Sequence, residues 1–479
     1  MTTASIMETE FLATVDGRDF TTESSFPVIN PATGSALAVA PAVTGEQLDK
    51  VFDAAQRAYA TWQTDDEARR RAMRNAADAL DRWSAELAPI LTAEQGKPLK
   101  DAEREINSSA LWLRYFADLE LPREVVQDDA EGYAEVFRRP LGVVAAITPW
   151  NFPIVLAMWK IAPALRAGNT LVVKPSPYTP LTTLAVGRVL RDALPPGVLN
   201  VIAGPDPLGA SMTAHPVPRK ISFTGSTATG KKVAQSAAVD LKRLTLELGG
   251  NDPAVVLGDV NVSDIAQSLF WSAFDNNGQI CLAVKRVYAH ESIHDELVEA
   301  LADIARTVKV GDGADPGVKL GPLNNKQQLD IVSTLVADAL THGAKVAAGG
   351  RALERPGYFF GPTILSNISD GIRIVDEEQF GPALPIIKFS DEADVITRAN
   401  RGNYGLTASV WSSDVEHAVA LAGSIDTGQV SVNKHGGGVR PHLPFGGHKW
   451  SGVGVENGSW GLYSFTELQV ITSPPRRHS

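Results

Sequence analysis

The stretch GVVAAITPWNFPIVLAMWKIAPALRAGNTLVVKP, residues 142–175, places two β-branched runs on either side of a longer apolar segment. The runs at 143–147 and 170–173 have the length and composition of buried strands. Residues 141–159 carry no charge, but the prolines and the asparagine of the turn TPWNFP interrupt them. We therefore interpret this part as a buried strand that enters a turn, and not as a membrane span.

Short strand runs alternate with helical stretches further along the chain, at 199–202, 221–223 and 253–257. Such alternation is typical of a parallel α/β sheet. A second series follows, with a helix at 292–308 between strands at 286–289 and 344–346, and later strands at 383–389, 408–411 and 429–433. The sequence thus predicts an α/β fold with two such units.

The chain before residue 142 has a different pattern. Apolar residues at helical spacing begin at Leu48, and alanine-rich segments at 66–95 and 102–119 continue in the same way, so we expect the front end to be mostly helical. Two strand runs, 132–138 and 463–471, fit neither α/β series. Strands that lie outside a sheet favour pairing with a partner.

The composition narrows the class of protein. A chain of 479 residues exceeds one compact core, so two or three structural units are expected. Its 44 basic and 55 acidic residues give a net charge of −11, which disfavours nucleic acid and anionic membranes as partners. The single cysteine cannot form an intramolecular disulfide, and no secretory signal pattern opens the chain, so a cytoplasmic location fits.

That single cysteine, Cys281, ends the sequence Asn277-Gly278-Gln279-Ile280-Cys281 in a glycine-containing turn. A backbone N–H beside the sulfur could bind an oxyanion if the thiol were a nucleophile. The alternative is a structural cysteine, since a free thiol is commonly a small buried hydrophobe. The residue alone does not decide between these interpretations.

Two polar residues stand in apolar surroundings after predicted strands. Glu247, in LELGGN at 246–251, could act as a general base because a poorly hydrated carboxyl group has a raised pKa. Asn151, in TPWNFP at 148–153, could donate an N–H to a developing alkoxide. The alternatives are a solvated strand end for Glu247 and a turn asparagine for Asn151.

A fourth motif is the strand-to-helix turn FTGSTATG at 223–230. Gly225 and Ser226 stand where phosphate oxygens could meet a helix N-terminus. The motif differs from GxGxxG, and many ordinary turns between a strand and a helix have the same composition.

Taken in order, these motifs resemble the aldehyde dehydrogenase superfamily, non-acylating and NAD(P)-dependent. The resemblance runs from about Asn30 to Thr466 and also includes KPS at 174–176, EEQFGP at 377–382 and PFGG at 444–447 followed by Ser451-Gly452. It implies a Rossmann-like cofactor domain at 1–121 and 141–247, a second α/β catalytic domain at 248–445, and a small β oligomerisation arm with the C-terminal segment at 122–140 and 446–479. A homodimer or homotetramer would follow.

The resemblance also implies a role for each matching residue. Cys281 would be the nucleophile, Glu247 the base for the hydrolytic water and Asn151 the oxyanion donor, with Lys160 and Glu456 as a proton relay. For NAD or NADP, the matching positions are Trp150, Lys174, Ser176, Gly225, Ser226, Glu378 and Phe380. The aldehyde would form a thiohemiacetal and then, after loss of hydride to the nicotinamide, a thioester that water hydrolyses to the acid.

One departure concerns the adenosine ribose. The family often has a glutamate three residues after the motif lysine, and this chain has Pro177 there. A carboxylate would repel a 2′-phosphate, so its absence leaves NADP open, with Lys174 and Ser176 as phosphate donors.

By alignment, the substrate tunnel would be lined by Phe152, Val155, Leu156, Trp159, Ile280, Leu282 and Phe445. These side chains favour an uncharged aliphatic or aromatic aldehyde, unless some of them only pack the core. Relatives that oxidise succinate semialdehyde commonly carry an arginine where this chain has Asp275. The acidic side chain argues against a carboxylate-bearing substrate and leaves an amino aldehyde open, unless Arg440 or Lys434 neutralises it.

Two rival functions remain from the sequence. A CoA-acylating dehydrogenase would pass the thioester to a thiol, but such relatives tend to lack the glutamate found here at 247. A non-catalytic nucleotide-binding or structural protein could share the fold. The joint presence of Cys281, Glu247 and Asn151 argues against that alternative.

Overall fold

The computed structural model describes residues 10–436 and 439–475, and its centre is a pair of α/β layers. With strands and helices numbered in chain order, the first sheet has eight strands in the order Arg18–Phe20 (β2), Ala13–Val15 (β1), Leu199–Val201 (β9), Thr170–Lys174 (β8), Val143–Ile147 (β7), Lys220–Thr224 (β10), Arg243–Glu247 (β11) and Gly452–Val453 (β21). Strands β7 to β11 run parallel, and the other three are antiparallel edge additions.

The second sheet has seven strands, in the order Lys345–Ala348 (β14), Thr363–Ile368 (β15), Ala383–Phe389 (β16), Val284–His290 (β13), Asp252–Val256 (β12), Thr407–Trp411 (β18) and Gln429–Val432 (β19). All neighbours are parallel except β14, which is antiparallel to β15. Every residue of β7, β8 and β12 is buried, as expected for parallel strands covered on both faces.

Smaller antiparallel pairings complete the strands: a sheet of Thr466–Ser473 (β22), Tyr133–Pro140 (β6) and Glu124–Asp128 (β5), and the pairs Ser24–Asn30 (β3) with Ser35–Ala42 (β4) and Tyr404–Gly405 (β17) with His448–Lys449 (β20). The three-stranded sheet keeps exposed apolar side chains on β22, at Leu468, Val470 and Ile471. An uncovered apolar strand of this kind favours a partner.

The helices of the first half are Gly45–Trp62 (α1), Asp66–Arg82 (α2), Ser84–Gln95 (α3), Leu99–Asp118 (α4), Pro153–Ala167 (α5), Leu181–Leu190 (α6), Asp206–Ala214 (α7) and Thr227–Ala238 (α8). Those of the second half are Val262–Phe274 (α9), His294–Thr307 (α10), Lys326–Thr341 (α11), Arg373–Asp376 (α12), Glu392–Ala399 (α13), Val415–Ala422 (α14) and Gly458–Tyr463 (α15). Within the described ranges, none of these helices has the length and apolarity that a bilayer crossing requires.

Helix α5 shows how the opening motif produces its structure. Pro153 stands at the first helical turn, where its missing N–H costs nothing, and Gly168 ends the helix in a left-handed conformation with a φ of 96°. All but one of its residues are buried, because the helix lies between the first sheet and the helical layer of α2 and α4. The predicted strand, turn and helix therefore appear where the sequence places them.

The structure confirms the predicted α/β fold and the helices predicted in the front end, which are α1 to α4. Strands β1 to β4, which precede α1, were not predicted, because they are too short for a long alternating pattern. The run at 253–257 belongs to the second sheet, as β12. The tail strand begins only at Thr466, after α15, and β21 from the predicted arm segment joins the first sheet. The proposed domain division remains a prediction.

Candidate active site

The predicted catalytic residues come from three loops that follow strands or a helix. The turn that carries Asn151 follows β7, Glu247 is the last residue of β11, and Cys281 follows a turn at the end of α9. The carboxyl ends of parallel strands are the usual site of ligand binding in open α/β sheets. Here that edge of the first sheet faces the Cys281 turn, because Asn151 Nδ2 donates to the Gln279 carbonyl over 3.0 Å.

The turn before Cys281 has an unusual backbone. Asn276, Asn277 and Gly278 have φ values of 48°, 59° and 71°, all in the left-handed region. Such strain persists only where surrounding contacts fix it. The Asn277 amide donates to the Gly321 carbonyl over 3.0 Å, and Lys285 Nζ donates to the Gly278 carbonyl over 2.6 Å.

A cavity of about 270 Å³ opens in front of Cys281. Of the side chains predicted to line the tunnel, it contains Phe152, Val155, Leu156, Trp159, Asp275, Ile280 and Leu282. The predicted residue Phe445 is absent from this wall: it is buried and packs edge-on against Trp159, with ring centroids 5.1 Å apart. Residues that sequence reasoning missed also line the cavity, namely Lys97, Asp101, Arg104, Glu105, Ser108, Trp112, Asn276 and Val439.

Asn151 faces this cavity with its backbone fixed from two sides. Its carbonyl accepts hydrogen bonds from Lys97 Nζ over 2.9 Å and from Asn276 Nδ2 over 3.2 Å. One N–H of its side-chain amide is used by the Gln279 carbonyl. The second N–H makes no hydrogen bond to the described residues, so it is available to a ligand oxygen, as an oxyanion donor requires.

Glu247 is buried at the end of β11, and neither carboxyl oxygen has a hydrogen-bond partner among residues 10–436 and 439–475. Burial raises the pKa of this carboxyl group well above its ordinary value, and the charge of Glu456 raises it further, against the opposing charge of Lys160. A buried carboxyl group without partners can bind and release a proton, as a general base must.

The two predicted relay residues form a direct ion pair. Lys160 Nζ lies 2.7 Å from Glu456 Oε1, and both side chains are fully buried. Lys160 Nζ also donates to Thr224 Oγ1 over 2.7 Å, which ties the pair to the end of β10. The second carboxyl oxygen of Glu456 has no partner in the described part of the chain.

Cys281 is accessible from the cavity but stands among acidic groups. Burial raises the pKa of its thiol, and the charges of Asp252, Glu247 and Glu378 raise it further, while Lys285 opposes them. A reactive thiolate therefore needs a positive charge or a base close to the sulfur.

The glycine-rich motif forms the start of α8. Ser226 is its N-cap and accepts a hydrogen bond from the backbone N–H of Thr229 over 3.2 Å. A Cβ on Gly225 would lie 2.6 Å from the Phe223 ring, so only glycine fits this turn. The resulting helix N-terminus has the donors that a pyrophosphate needs.

Lys174 and Ser176, the predicted donors to a 2′-phosphate, stand at the end of β8. Lys174, the last residue of β8, is buried, and its ammonium group donates to the Pro175 carbonyl over 3.2 Å. Burial lowers the Lys174 pKa to about 8, against the charge of Asp206. Ser176 accepts from the Tyr178 backbone N–H over 3.3 Å. A buried ammonium group with a neutral partner fits an anionic or hydroxyl-bearing ligand.

The loop that carries Glu378 and Phe380 contacts Trp150 and the backbone of Gly250. Glu378 Oε1 accepts from the Gly250 backbone N–H over 3.0 Å, and a Cβ on Gly249 would lie 2.2 Å from Glu378 Oε2. The rings of Phe380 and Trp150 meet edge to face at 5.2 Å. These contacts join Trp150 to Phe380 and Glu378 to Gly250, and the assignment of the predicted cofactor residues to one dinucleotide site stays a prediction.

Several buried polar residues around the site were missed from the sequence. Lys285 lies 5.2 Å from the Phe380 ring centre and holds the Cys281 turn. His435 Nε2 lies 2.9 Å from the Leu282 carbonyl and its Nδ1 lies 2.9 Å from Ser409 Oγ. Burial lowers the His435 pKa to about 4, so the ring is neutral and donates from Nε2 to that carbonyl. Nothing in the sequence pattern pairs these residues with Cys281.

Comparison with known proteins identifies the family. The model of the aldehyde dehydrogenase family matches residues 19–471. Phenylacetaldehyde dehydrogenase from Pseudomonas fluorescens is 39% identical over 94% of this chain and 92% of its own length. The NADP-dependent succinate-semialdehyde dehydrogenase of Escherichia coli is 37% identical over 93% of each chain. The NAD⁺ complex of an aldehyde dehydrogenase from Bacillus cereus superposes with a TM-score of 0.96 at 33% identity, covering 98% of both chains.

These matches confirm the predicted family, fold and enzyme class. The chain belongs to the aldehyde dehydrogenase family of NAD- or NADP-dependent oxidoreductases.

Proposed function

We propose that this enzyme oxidises an aldehyde to the carboxylic acid through a covalent Cys281 intermediate, with Glu247 activating the hydrolytic water. The observation that carries the proposal is the cavity lined by both Cys281 and Asn151, together with a buried Glu247 whose charge acts on Cys281 and whose carboxyl oxygens have no hydrogen-bond partner in the described residues. The role of each site residue is part of this proposal.

In the first step the Cys281 sulfur attacks the carbonyl carbon. The resulting alkoxide lies between the free N–H of Asn151 Nδ2 and the Cys281 backbone N–H, a type of contact worth roughly 3–4 kcal/mol per donor in other enzymes. When bound, NAD⁺ or NADP⁺ supplies the positive charge that favours a thiolate and the acceptor for the hydride. Burial first, and then the charges of Asp252, Glu247 and Glu378, raise the pKa of the Cys281 thiol, so its proton must pass to the Glu247 carboxylate or to water before the sulfur attacks.

In the second step Glu247 takes a proton from water, which attacks the thioester and releases the acid. Its buried position keeps the carboxylate undersolvated and therefore basic. The proton then passes to the Lys160–Glu456 pair, whose charges act on Glu247. The second oxygen of Glu456, which lacks a partner in the described residues, gives this relay an acceptor.

The substrate is an uncharged aliphatic or aromatic aldehyde, and a cationic amino aldehyde is the second candidate. Next to the sulfur the cavity is apolar, with Phe152, Leu156 and Trp159 in its wall. Asp275 faces the same cavity, which disfavours a carboxylate-bearing substrate. The Escherichia coli relative is a succinate-semialdehyde dehydrogenase, which makes succinate semialdehyde the substrate to test against this preference. A higher turnover of succinate semialdehyde than of hexanal or benzaldehyde would overturn it.

NADP is accepted as well as NAD. Pro177 brings no carboxylate to the ribose site, and Lys174 and Ser176 lie beside it as donors. A kcat/KM for NADP more than roughly a hundredfold below that for NAD, a difference of about 2.7 kcal/mol, would contradict this. The assembly is a homodimer or homotetramer, supported by the exposed apolar strand β22.

The decisive experiment is a panel of aliphatic, aromatic, amino and carboxylate aldehydes, followed by absorbance of the reduced cofactor with NAD and with NADP. Product analysis with and without CoA distinguishes hydrolysis from acyl transfer, and we expect free acid in both. Unchanged turnover by Cys281→Ser would overturn the covalent mechanism and revive a non-catalytic role for the cysteine.

A further inference from the structure

One buried ion pair in the cavity wall has no part in the mechanism above. Lys97 Nζ lies 2.5 Å from Glu105 Oε2, and the two side chains are 1% and 0% exposed. A buried ion pair contributes little net stability, because the cost of removing two charges from water offsets their attraction. A functional role for this ion pair must therefore come from its contacts with the rest of the site.

The lysine reaches the backbone of Asn151. Its ammonium group donates to the Asn151 carbonyl over 2.9 Å and lies 3.7 Å from the centre of the Phe152 ring. Glu105 is the third partner, so each N–H bond of the ammonium group has an acceptor: the Glu105 carboxylate, the Asn151 carbonyl and the face of the Phe152 ring. A hydrogen bond from a charged donor is about twice as strong as a neutral one. Lys97 thus fixes the peptide group that carries the Asn151 side chain.

The carboxylate reaches the helix that follows. Glu105 Oε1 accepts from the backbone N–H groups of Ile154 over 2.8 Å and Val155 over 3.2 Å, in the first turn of α5. These amides have no partner within the helix, and a negative charge there also complements the helix dipole. The pair therefore holds the residues on both sides of Phe152, from Asn151 to Val155.

We propose that Lys97 and Glu105 are positioning residues that hold the Asn151 amide where the oxyanion forms. The inference rests on the proposed function, since the position of this amide matters only if it binds the alkoxide. Oxyanion donors act at hydrogen-bond distance, and a misplacement of about 1 Å can cost roughly a hundredfold in rate. Asn276, which also donates to the Asn151 carbonyl, is neutral and its contact is longer.

The test uses Lys97→Met and the double variant Lys97→Met/Glu105→Gln in the intact enzyme. We expect both variants to lower the rate constant of the pre-steady-state burst of reduced cofactor roughly 10- to 100-fold. The KM for cofactor should stay within roughly twofold of the wild type. The double variant leaves no unpaired buried charge and is the more stable of the two, yet it still lacks the donor to Asn151. Whichever variant folds carries the test.

Glu94→Gln is the matched control. Glu94 is also fully buried and accepts from two backbone N–H groups at a helix start, those of Leu181 over 2.7 Å and Thr182 over 2.8 Å. These amides begin α6, and in the described residues the Glu94 side chain makes no hydrogen bond to Asn151. We expect the control to lose stability, because it disturbs the same kind of helix cap. Its burst should stay close to that of the wild type, because it leaves the hydrogen bond from Lys97 to the Asn151 carbonyl in place.

Two further readouts separate positioning from general damage. The rate at which iodoacetamide alkylates Cys281 should stay within roughly twofold of the wild type in both Lys97 variants, since in the described residues neither side chain makes a hydrogen bond or an ion pair with residues 275–282. A wild-type burst in the double variant would overturn the inference and leave the mechanism standing. No reduced cofactor from the wild type with any aldehyde would instead overturn the proposed function itself.

Discussion

The two walls of the active site are held by different means. The first wall is Asn151, which lines the cavity, together with the buried residues Glu247, Lys160 and Glu456; this group is held by direct ion pairs, Lys97 with Glu105 and Lys160 with Glu456. The second wall, formed by residues 275–282, is a strained left-handed turn held by hydrogen bonds to its carbonyls from Lys285 and His435. Neither Lys285 nor His435 makes an ion pair shorter than 3.9 Å in the described residues.

The difference follows from what each wall does. A general base and an amide donor need a defined electrostatic environment, which buried charges provide. A nucleophile that also donates its own backbone N–H needs a defined backbone direction, which carbonyl anchoring provides. We therefore expect variants of the first wall to change protonation and rate, and variants of the second wall to change the reactivity of the sulfur.

The largest expected effect is on the second wall. Cys281→Ser removes the only thiol in the chain, and we expect kcat to fall by roughly 10³-fold or more, because a hydroxyl group is far less acidic than a thiol and is a much weaker nucleophile. The measurement is steady-state reduction of the cofactor, with circular dichroism to show that the variant folds. Residual activity near that of the wild type would remove the nucleophile from this wall.

The next effect is on the first wall. Glu247→Gln keeps the size of the side chain but removes the base, so hydrolysis of the thioester should slow by roughly 10²- to 10³-fold while the burst remains. Because the pKa of Glu247 is raised, the wild-type rate of hydrolysis should increase with pH through that pKa as the carboxylate forms. The variant should lose this pH dependence; loss of the burst as well would place Glu247 in the first step.

The comparison itself is tested by Lys285→Met. Burial lowers the Lys285 pKa to about 8, and the charges of Glu378 and Asp252 oppose the shift, so this buried cation interacts with two acidic groups. Its loss frees the Gly278 carbonyl, and we expect alkylation of Cys281 by iodoacetamide to slow roughly tenfold. Lys97→Met should leave the rate of Cys281 alkylation unchanged. If the two variants changed this rate equally, the two walls would not differ in their effect on the sulfur.

The smallest effect concerns cofactor choice. Pro177→Glu places a carboxylate near the ribose contacts, and we expect the ratio of kcat/KM for NADP to that for NAD to fall roughly tenfold, or about 1.4 kcal/mol, by charge repulsion. The rate with NAD should stay close to that of the wild type. An unchanged ratio would show that Lys174 and Ser176 do not lie where a 2′-phosphate binds.

Prediction from sequence succeeded where the signal is local. The strands at 143–147 and 170–174 are short, β-branched and flanked by a glycine or a proline, so composition alone locates them. The motifs around Cys281 and Glu247 are contiguous and could be read directly. Strands β1 to β4 were not predicted, because strands of three to eight residues at the margin of a sheet have too few buried positions to show an alternating apolar pattern.

Contacts between distant segments could not be read in the same way. Lys97 meets the Asn151 carbonyl across 54 positions, and His435 meets the Leu282 carbonyl across 153. Phe445 was assigned to the tunnel because an alignment gives a position but not the direction of a side chain. In each case the residue type is compatible with several environments, and only the packing of the two sheets selects one.

Helix α4 has a consequence for how this enzyme could be redesigned. Five of its residues, Asp101, Arg104, Glu105, Ser108 and Trp112, are spaced by three, one, three and four positions, so they share one side of the helix and line the cavity. Of these, Asp101, Arg104 and Ser108 lie near the outer end of that face and contact none of Cys281, Asn151 or Glu247 by hydrogen bond. The entrance is thus a surface that substitutions can recode for new aldehydes, while the reacting groups stay on other elements and keep their geometry.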